Sequence, residues 1–314
     1  MQKYVFQVSE EDEGERVDRY LSILTESLSR SYLQKLLKDG LVLLEADTGN
    51  FRVLRASYKV MSGDRIHLSI PDAVIPPIEA EEIPLDILYE DEHLLVVNKP
   101  KGMVVHPAPG HYQKTLVNAL LYHCRDSLSG INGVLRPGIV HRIDRDTTGS
   151  IIVCKNDFAH QEIAKQLQEK TAARKYVAIV CGVIANDCGT VDAPIGRHPK
   201  ERKKMAVLPE NDTSGKNAVT NYRVLQRFHK YTYIECELET GRTHQIRVHM
   251  AYLKFPILGD GIYGNAKAPF KLTGQTLHAK TIGFIHPISK KEILIEAPIP
   301  DYFLKLLRIL DEKQ

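Results

Sequence analysis

Apolar residues Val17, Tyr20, Leu21, Leu24 and Leu28 recur at three- and four-residue steps, the spacing that lines one face of a helix. A second helix is predicted directly after it: Ser29 offers an N-cap hydroxyl, Tyr32, Leu33, Leu36 and Leu37 form the apolar stripe, and Asp39-Gly40 is a left-handed stop. Short strands follow at Leu41 to Leu44 and Ile66 to Ile70, with a Gly63-Asp64 turn between them. Pro71 to Pro77, then Glu79 to Glu82 and Pro84, read as an extended linker, because prolines block helix and acidic side chains resist burial.

Past Leu85 the pattern mixes elements. Strands are predicted at Leu94 to Val97, Ser150 to Cys154 and Lys175 to Val180, and helices at Thr115 to Leu121, Phe158 to Gln168 and Phe303 to Leu310. Ile234, Cys236 and Leu238 alternate with Glu235, Glu237 and Glu239, which marks a strand with one wet face. An antiparallel or mixed sheet with helices against it fits this order. The division expected is a small domain at 13–70, a linker at 71–84 and a large domain at 85–314.

With 314 residues, 43% hydrophobic and 26% charged, the chain can bury a large core and a small one, which excludes disordered and fibrous classes. A net charge of +3 announces no polyanion partner, so any such partner must be argued from where the basic residues fall. Arg16, Arg19, Arg30, Lys35 and Lys38 lie on or beside the first two helices, off the apolar stripe, and offer a positive face for phosphates. Their ordinary use would be a solvated helix surface. Arg197, Arg202, Lys203 and Lys204 crowd a second segment, either a solvated loop or a clamp on a phosphodiester backbone. Five cysteines without a C-x-x-C pair point to a reducing compartment. The acidic N-terminus and the lack of an apolar run near ~20 residues point to a cytoplasmic protein away from membranes. No heptad or self-complementary patch stands out, so a monomer is the default.

The chemistry concentrates in His141 to Gly149, where Asp144 lies among arginines just before an apolar strand. Flanking guanidinium groups favour the ionised carboxylate, the form that serves as nucleophile or base. In Thr240 to Met250, Gly241 makes a turn and Ile246, Met250 and Leu253 a buried helix face, leaving Arg242 and Arg247 for a phosphate or a carboxylate. Arg247 is expected to pair with Asp144. Tyr176 opens a strand after Arg174 and Lys175, a position where a tyrosine ordinarily packs in the core with its hydroxyl hydrogen-bonded. No metal is expected, because His244 and His249 are five apart and the cysteines are scattered, and no glycine-rich nucleotide loop is present. Asp144 to Thr148 also fits the D-x-D-x-T motif of aspartate-nucleophile phosphatases. That motif wants an unbroken apolar strand, which Pro137, His141 and Arg142 interrupt, and no later acidic pair completes a magnesium site.

His141 to Gly149 resembles the H-R-L-D-x-x-T-[ST]-G signature of RluA-type pseudouridine synthases, with Ile143 for leucine. Glu90 to Gly102, Lys175-Tyr176 and Gly241 to Arg247 are similar to further motifs of that family, in order, so the resemblance covers Leu85 to Pro300. Glu15 to Gly40 and Ser57 to Ile66 resemble a small RNA-binding module named after a ribosomal small-subunit protein, here termed S-four-like. In place of its usual V-N-G turn the chain has Glu45 to Phe51. The resemblance implies an α+β catalytic domain with a mixed, mainly antiparallel sheet, preceded by an α/β RNA-binding domain. It implies isomerisation of uridine in RNA without a cofactor, with stem-loops of large-subunit ribosomal RNA as the target class. Asp144 would be the essential carboxylate, either a nucleophile on the anomeric carbon or the base for the ribose 2′ proton. Arg247 matches its ion-pair partner, Tyr176 a tyrosine that stacks on the base, and Arg142 a residue that fills the space of the extruded base. Arg242 and His244 join the RNA-binding set. The rival reading is a non-catalytic RNA-binding or ribosome-assembly protein.

Overall fold

The computed structural model describes all residues except 26–27, 47–48, 72–77, 109–110, 126, 132–136, 202–203, 210, 265–269 and 313–314. The chain divides into Met1–Pro76 and Pro77–Gln314.

In the first unit the elements run β1 (Gln2–Gln7), α1 (Val17–Leu24), α2 (Arg30–Lys38), β2 (Val42–Glu45), β3 (Phe51–Val53) and β4 (Arg65–Ile70). The antiparallel sheet has the order β1-β4-β2-β3. Val17, Leu21, Leu33, Leu36 and Leu37 of the two helices meet Val42, Ile66 and Leu68 of the sheet in one buried cluster. Ser29 Oγ accepts from Tyr32 N–H at 3.3 Å, and Gly40 ends α2 at φ +72°. The unit starts at Gln2 rather than at 13, because β1 pairs with β4 from Gln2 to Gln7. Nearly every β1 residue is exposed, so its pairing rests on backbone hydrogen bonds that leave no hydrophobic alternation to read.

The second unit carries β5 (Ile87–Glu90), β6 (Leu94–Lys99), α3 (Leu116–Cys124), β7 (Thr148–Cys154), α4 (Asp157–Gln168), β8 (Ala173–Cys181), β9 (Cys188–Asp192), β10 (Ile195–Arg197), β11 (Met205–Val207), β12 (Val219–Arg227), β13 (Tyr231–Leu238), α5 (Gln245–Tyr252), β14 (Leu277–Ile285), β15 (Glu292–Glu296) and α6 (Asp301–Asp311). Nine strands form one sheet in the order β5-β6-β7-β14-β8-β13-β12-β9, with β15 also on β14. Only β7 and β14 run parallel among these pairs, so the expected mixed, mainly antiparallel sheet is what the chain builds.

Helices cover both faces, and strand alternation decides which side chain goes where. Ile151 and Val153 of β7 and Ala178 and Val180 of β8 join Leu116, Leu120, Ile246 and Met250 from α3 and α5. Ile152 and Cys154 turn to Ala159 and Ile163 of α4, while Val177 and Ile179 turn to Phe303, Leu306 and Leu310 of α6. Among the described residues no helix is long and apolar enough to cross a membrane.

The expected linker needs correction in its second half; residues 72–77 lie outside the described residues. Ile78 and Leu85 pack on the α3 face, Asn118 Nδ2 donates to Glu79 O at 2.8 Å, and Glu81 N–H donates to Asn118 O at 3.0 Å. The acidic side chains of this stretch stay near the surface while its backbone is tied down, and composition reports only the first of these.

Candidate active site

Asp144 opens the turn that enters β7, its carbonyl accepting from Thr147 N–H at 3.1 Å. Buried groups hold that turn. Lys99 Nζ, fully buried, donates to the carbonyl oxygens of Pro100, Met103 and Arg145 at 2.8, 2.9 and 2.9 Å, three acceptors for the three hydrogens of an ammonium. Burial pulls Lys99 down to about 7, against the opposing charges of Asp146 and Asp144. His141 Nε2 accepts Ile152 N–H at 2.9 Å, which requires an unprotonated nitrogen, and burial together with the Arg174 charge pulls this histidine down to about 3. Gly149, at φ +108°, lets β7 close on β14: a Cβ there would fall on the Ala279 carbonyl.

The charge partner of Asp144 comes from the other end of the domain. Arg247 Nη1 donates to Asp144 Oδ2 at 2.8 Å, which brings together the two residues paired on sequence grounds. The flanking arginines act differently from expectation: Arg145 turns back to Gly102 O at 3.2 Å, and Arg142 is exposed at the mouth of the cleft. Among the described residues neither forms an ion pair with Asp144.

Arg247 is itself fixed from behind. Its Nε and Nη2 donate to Asp260 Oδ2 and Oδ1 at 2.7 and 2.9 Å, and Asp260 Oδ1 also accepts from Ile262 and Tyr263 N–H at 2.9 and 3.1 Å. Burial works against the charge of each, yet the Asp260 contacts and the Asp144 charge raise Arg247 further above its ordinary value, and Arg247 with the backbone donors holds Asp260 below its own. The Arg247 and Asp260 side chains are 5% and 0% exposed, against 17% for Asp144, so Asp144 is the open end of the chain of charges.

The loop before α5 orients the remaining groups. Gln245 Oε1 accepts from Thr240 Oγ1 and Arg242 N–H, while its Nε2 donates to Val219 O and Thr220 Oγ1, which stitches the helix start to β12. His244 stands at φ +58°, a left-handed position, with Nε2 3.8 Å from Asp144 Oδ1 and Nδ1 2.9 Å from the Tyr263 hydroxyl. That hydroxyl also accepts from Met205 N–H at 2.9 Å, so the His244 ring is held between Tyr263 and Asp144.

Asp144, Arg247, His244 and Arg142 line both lobes of a divided cleft. The first lobe, about 430 Å³, is walled by Tyr176, Arg174, His141 and Leu238; the second, about 680 Å³, by Pro107, Ile262, Phe270, Leu272 and Gln275. Tyr176 is 7% exposed, and burial, with the Asp144 charge adding and Arg174 opposing, raises its pKa.

The expected RNA contacts are more scattered. In the first unit Arg16, Arg19, Arg30, Lys35 and Lys38 are all exposed, and buried Asp18 draws two of them together: Arg16 Nε at 3.1 Å and Arg30 Nε at 2.9 Å. In the second, exposed Arg197 lies on β10, Lys204 pairs with Glu201, Arg242 Nε donates to Asn217 O, and Arg202 and Lys203 lie outside the described residues. His244, grouped with them from sequence, sits instead beside Asp144. Asp260, Tyr263 and Lys99 escaped assignment. The signal available for Asp260 was a carboxylate between Gly259 and Gly261, a turn in which an aspartate takes up backbone N–H groups.

Comparison with known proteins gives the family. A profile of the RNA pseudouridylate synthase family matches residues 93–252. An uncharacterised RNA pseudouridine synthase of Bacillus subtilis, YlyB, is 50% identical, covering 96% of each chain. A ribosomal large subunit pseudouridine synthase D of Zymomonas mobilis is 46% identical, again over 96% of each. The solved structure of human RNA pseudouridylate synthase domain containing 4 aligns with 72% of this chain and 92% of its own, at 25% identity and a TM-score of 0.56. The chain belongs to the RNA pseudouridylate synthase family. It is thereby an isomerase that makes pseudouridine in RNA.

Proposed function

We propose that this enzyme isomerises uridines in stem-loops of large-subunit ribosomal RNA, in the cytoplasm, with Asp144 as the essential carboxylate. The observation that carries the reading is the Asp144–Arg247 pair of 2.8 Å at the junction of the two lobes, with Tyr176 walling one of them. Arg247, locked by Asp260, is the cation that faces this carboxylate. Tyr176 stacks on the extruded uracil in the first lobe, and Arg142, exposed at the mouth, takes the place the base has left in the RNA. Asp144 acts as nucleophile on the anomeric carbon or as base at the ribose 2′ position; both routes begin from the ionised form. The ribosomal target is supported by the name of the Zymomonas relative.

The first unit serves as the S-four-like grip on RNA, with Arg16 and Arg30 set by Asp18 and joined by Arg19, Lys35 and Lys38. Arg197, Arg202, Lys203, Lys204 and Arg242 supply backbone contacts beside the cleft. Asp146, the second acid of the phosphatase-like D-x-D-x-T match, packs on Gly274 in the field of Lys99 and Lys101.

Pseudouridine mapping of ribosomal and transfer RNA, from cells with and without the gene and with Asp144→Asn added back, tests this. The expected result is loss of defined large-subunit sites, restored by the native chain and not by the variant. Restoration by Asp144→Asn would refute the catalytic assignment, and sites lost only from transfer RNA would refute the target.

A further inference from the structure

Arg174 lies two residues before Tyr176 on β8, so its side chain leaves the same face of the strand and walls the same lobe. It is 7% exposed, yet no carboxylate among the described residues forms an ion pair with it. Among the described residues its Nη2 reaches only the carbonyl oxygens of Leu238 and Glu239, at 3.5 and 3.4 Å, and its buried Nε has no hydrogen-bond partner. Burial lowers its pKa, the nearby Tyr176 opposing. A guanidinium with a buried, unsatisfied N–H and no counterion is costly to keep in a folded protein that does not use it. The chain nevertheless makes room for it. Gly241 passes so close that a Cβ there would come within 2.7 Å of Arg174 Nη1.

The reaction brings a negative charge into this lobe. When the bond between uracil N1 and the anomeric carbon breaks, its electron pair leaves with the uracil, which becomes an anion delocalised over N1 and the two carbonyl oxygens. Asp144 simultaneously loses its charge, by bonding to the anomeric carbon or by taking the 2′ proton. One negative charge therefore passes from the carboxylate to the base. Carbon five of the anion then bonds to the anomeric carbon as Asp144 leaves it, or returns the 2′ proton, and regains its charge; the proton on carbon five passes, in net terms, to N1, so the product is an isomer of the substrate. Arg247 matches the charge at the start of this transfer. An equivalent cation is needed at its end, where the base is held.

We propose that Arg174 is that cation: its guanidinium donates to a carbonyl oxygen of the extruded uracil and stabilises the uracil anion between detachment and reattachment. This rests on Asp144 and Tyr176 acting as proposed above. A phosphate is the other acceptor an arginine could take, but a phosphate stays hydrated at the rim of a cleft, whereas Arg174 is at the wall beside Tyr176.

The test uses the full chain and an RNA stem-loop carrying either uridine or 5-fluorouridine at the modified position, followed in single turnovers at saturating enzyme by the loss of the N-glycoside. Fluorine withdraws electrons and stabilises the anion without help from the protein. Arg174→Met should slow the uridine substrate about a hundredfold, the scale of removing one donor to a developing anion, and the deficit should shrink several-fold with 5-fluorouridine. Gly241→Ala, which keeps the arginine and displaces only its flexible end, should show a smaller deficit with the same dependence on fluorine; it decides the matter if the methionine variant does not fold. An equal deficit on both substrates would make Arg174 structural. Weaker RNA binding with an unchanged saturated rate would make its partner a phosphate. Either result, or wild-type rates in a folded Arg174→Met protein, overturns the proposal. Failure of the native chain on every RNA would strike the parent reading instead.

Discussion

Asp18 in the first unit and Asp144 in the second are each gripped by arginine, yet burial is distributed in opposite ways. The Asp18 side chain is 0% exposed while Arg16 and Arg30 are 47% and 49% exposed. Asp144 is 17% exposed while Arg247 is 5% exposed. In the first unit the carboxylate is the fixture and the arginines are displayed, so one acid and two bases present positive charge outward. In the second the arginine is the fixture, two acids share one base, and the surplus charge faces the cleft as a carboxylate. The same ion-pair chemistry thus displays cations in one place and a carboxylate in the other, as the proposed RNA grip and the proposed nucleophile or base each require. What decides is which partner the fold removes from water.

The largest effect is expected where that distinction is broken at its root. Asp260→Ala leaves Arg247 buried with only Asp144 to pair with, and loss of one partner of a buried, hydrogen-bonded pair costs about 3–5 kcal/mol. Denaturant unfolding of the full chain should show this loss, with conversion of uridine falling at saturating RNA. If the variant is as stable and as fast as the native chain, Arg247 needs no anchor and is not the fixture of the pair.

A middling effect is expected at the matching fixture. In Asp18→Ala the two arginines keep their charge and lose their common anchor, along with the Gln34 contact of 2.7 Å. Displayed cations that must be ordered on binding give up part of their charge-assisted hydrogen bonds, about 1–2 kcal/mol, which is about tenfold in RNA affinity. Titration at fixed salt should show it, while the rate at saturating RNA stays at the native value. A rate that drops with affinity unchanged would contradict the assignment of this unit as a grip.

Local pattern carried much of this into view from sequence, and long-range geometry carried the rest. Periodicity located α1, α2, β13 and α5, because each buries one face against a core. It missed β1, whose side chains are almost all exposed, and misread 78–84, whose backbone is held while its acids face outward. At the site, the charges around Asp144 and Arg247 pointed to each other across the chain. The flanking arginines misled: Arg145 bonds to Gly102 O, and neither forms an ion pair with Asp144 among the described residues. Asp260 and Lys99 were invisible for a shared reason: their importance lies in complete burial, and a charged residue in a sequence reads as solvent-exposed until the fold is known.

The smallest effect is a pH dependence confined to the first unit. Burial would raise the pKa of Asp18, but its hydrogen bonds from Arg30, Gln34 and Arg16 outweigh burial and hold the carboxyl well below the ordinary aspartate range. A folded-state pKa below the unfolded one means that, as the pH drops past about 4, the unfolded chain takes up a proton before the folded chain does. The stabilisation from Asp18 is therefore fully present above that pH and is lost as the pH falls toward the folded-state value. Because both arginines are about half exposed, solvent screening keeps the change to about 1 kcal/mol or less. Amide protection in α1 and α2 of the full chain, measured relative to the intrinsic exchange rate at each pH, should fall between pH 5 and pH 3 more in the native protein than in Asp18→Asn, which has no charge there to lose. An equal fall in the two would mean that Asp18 is an incidental buried acid rather than the fixture that sets the arginines.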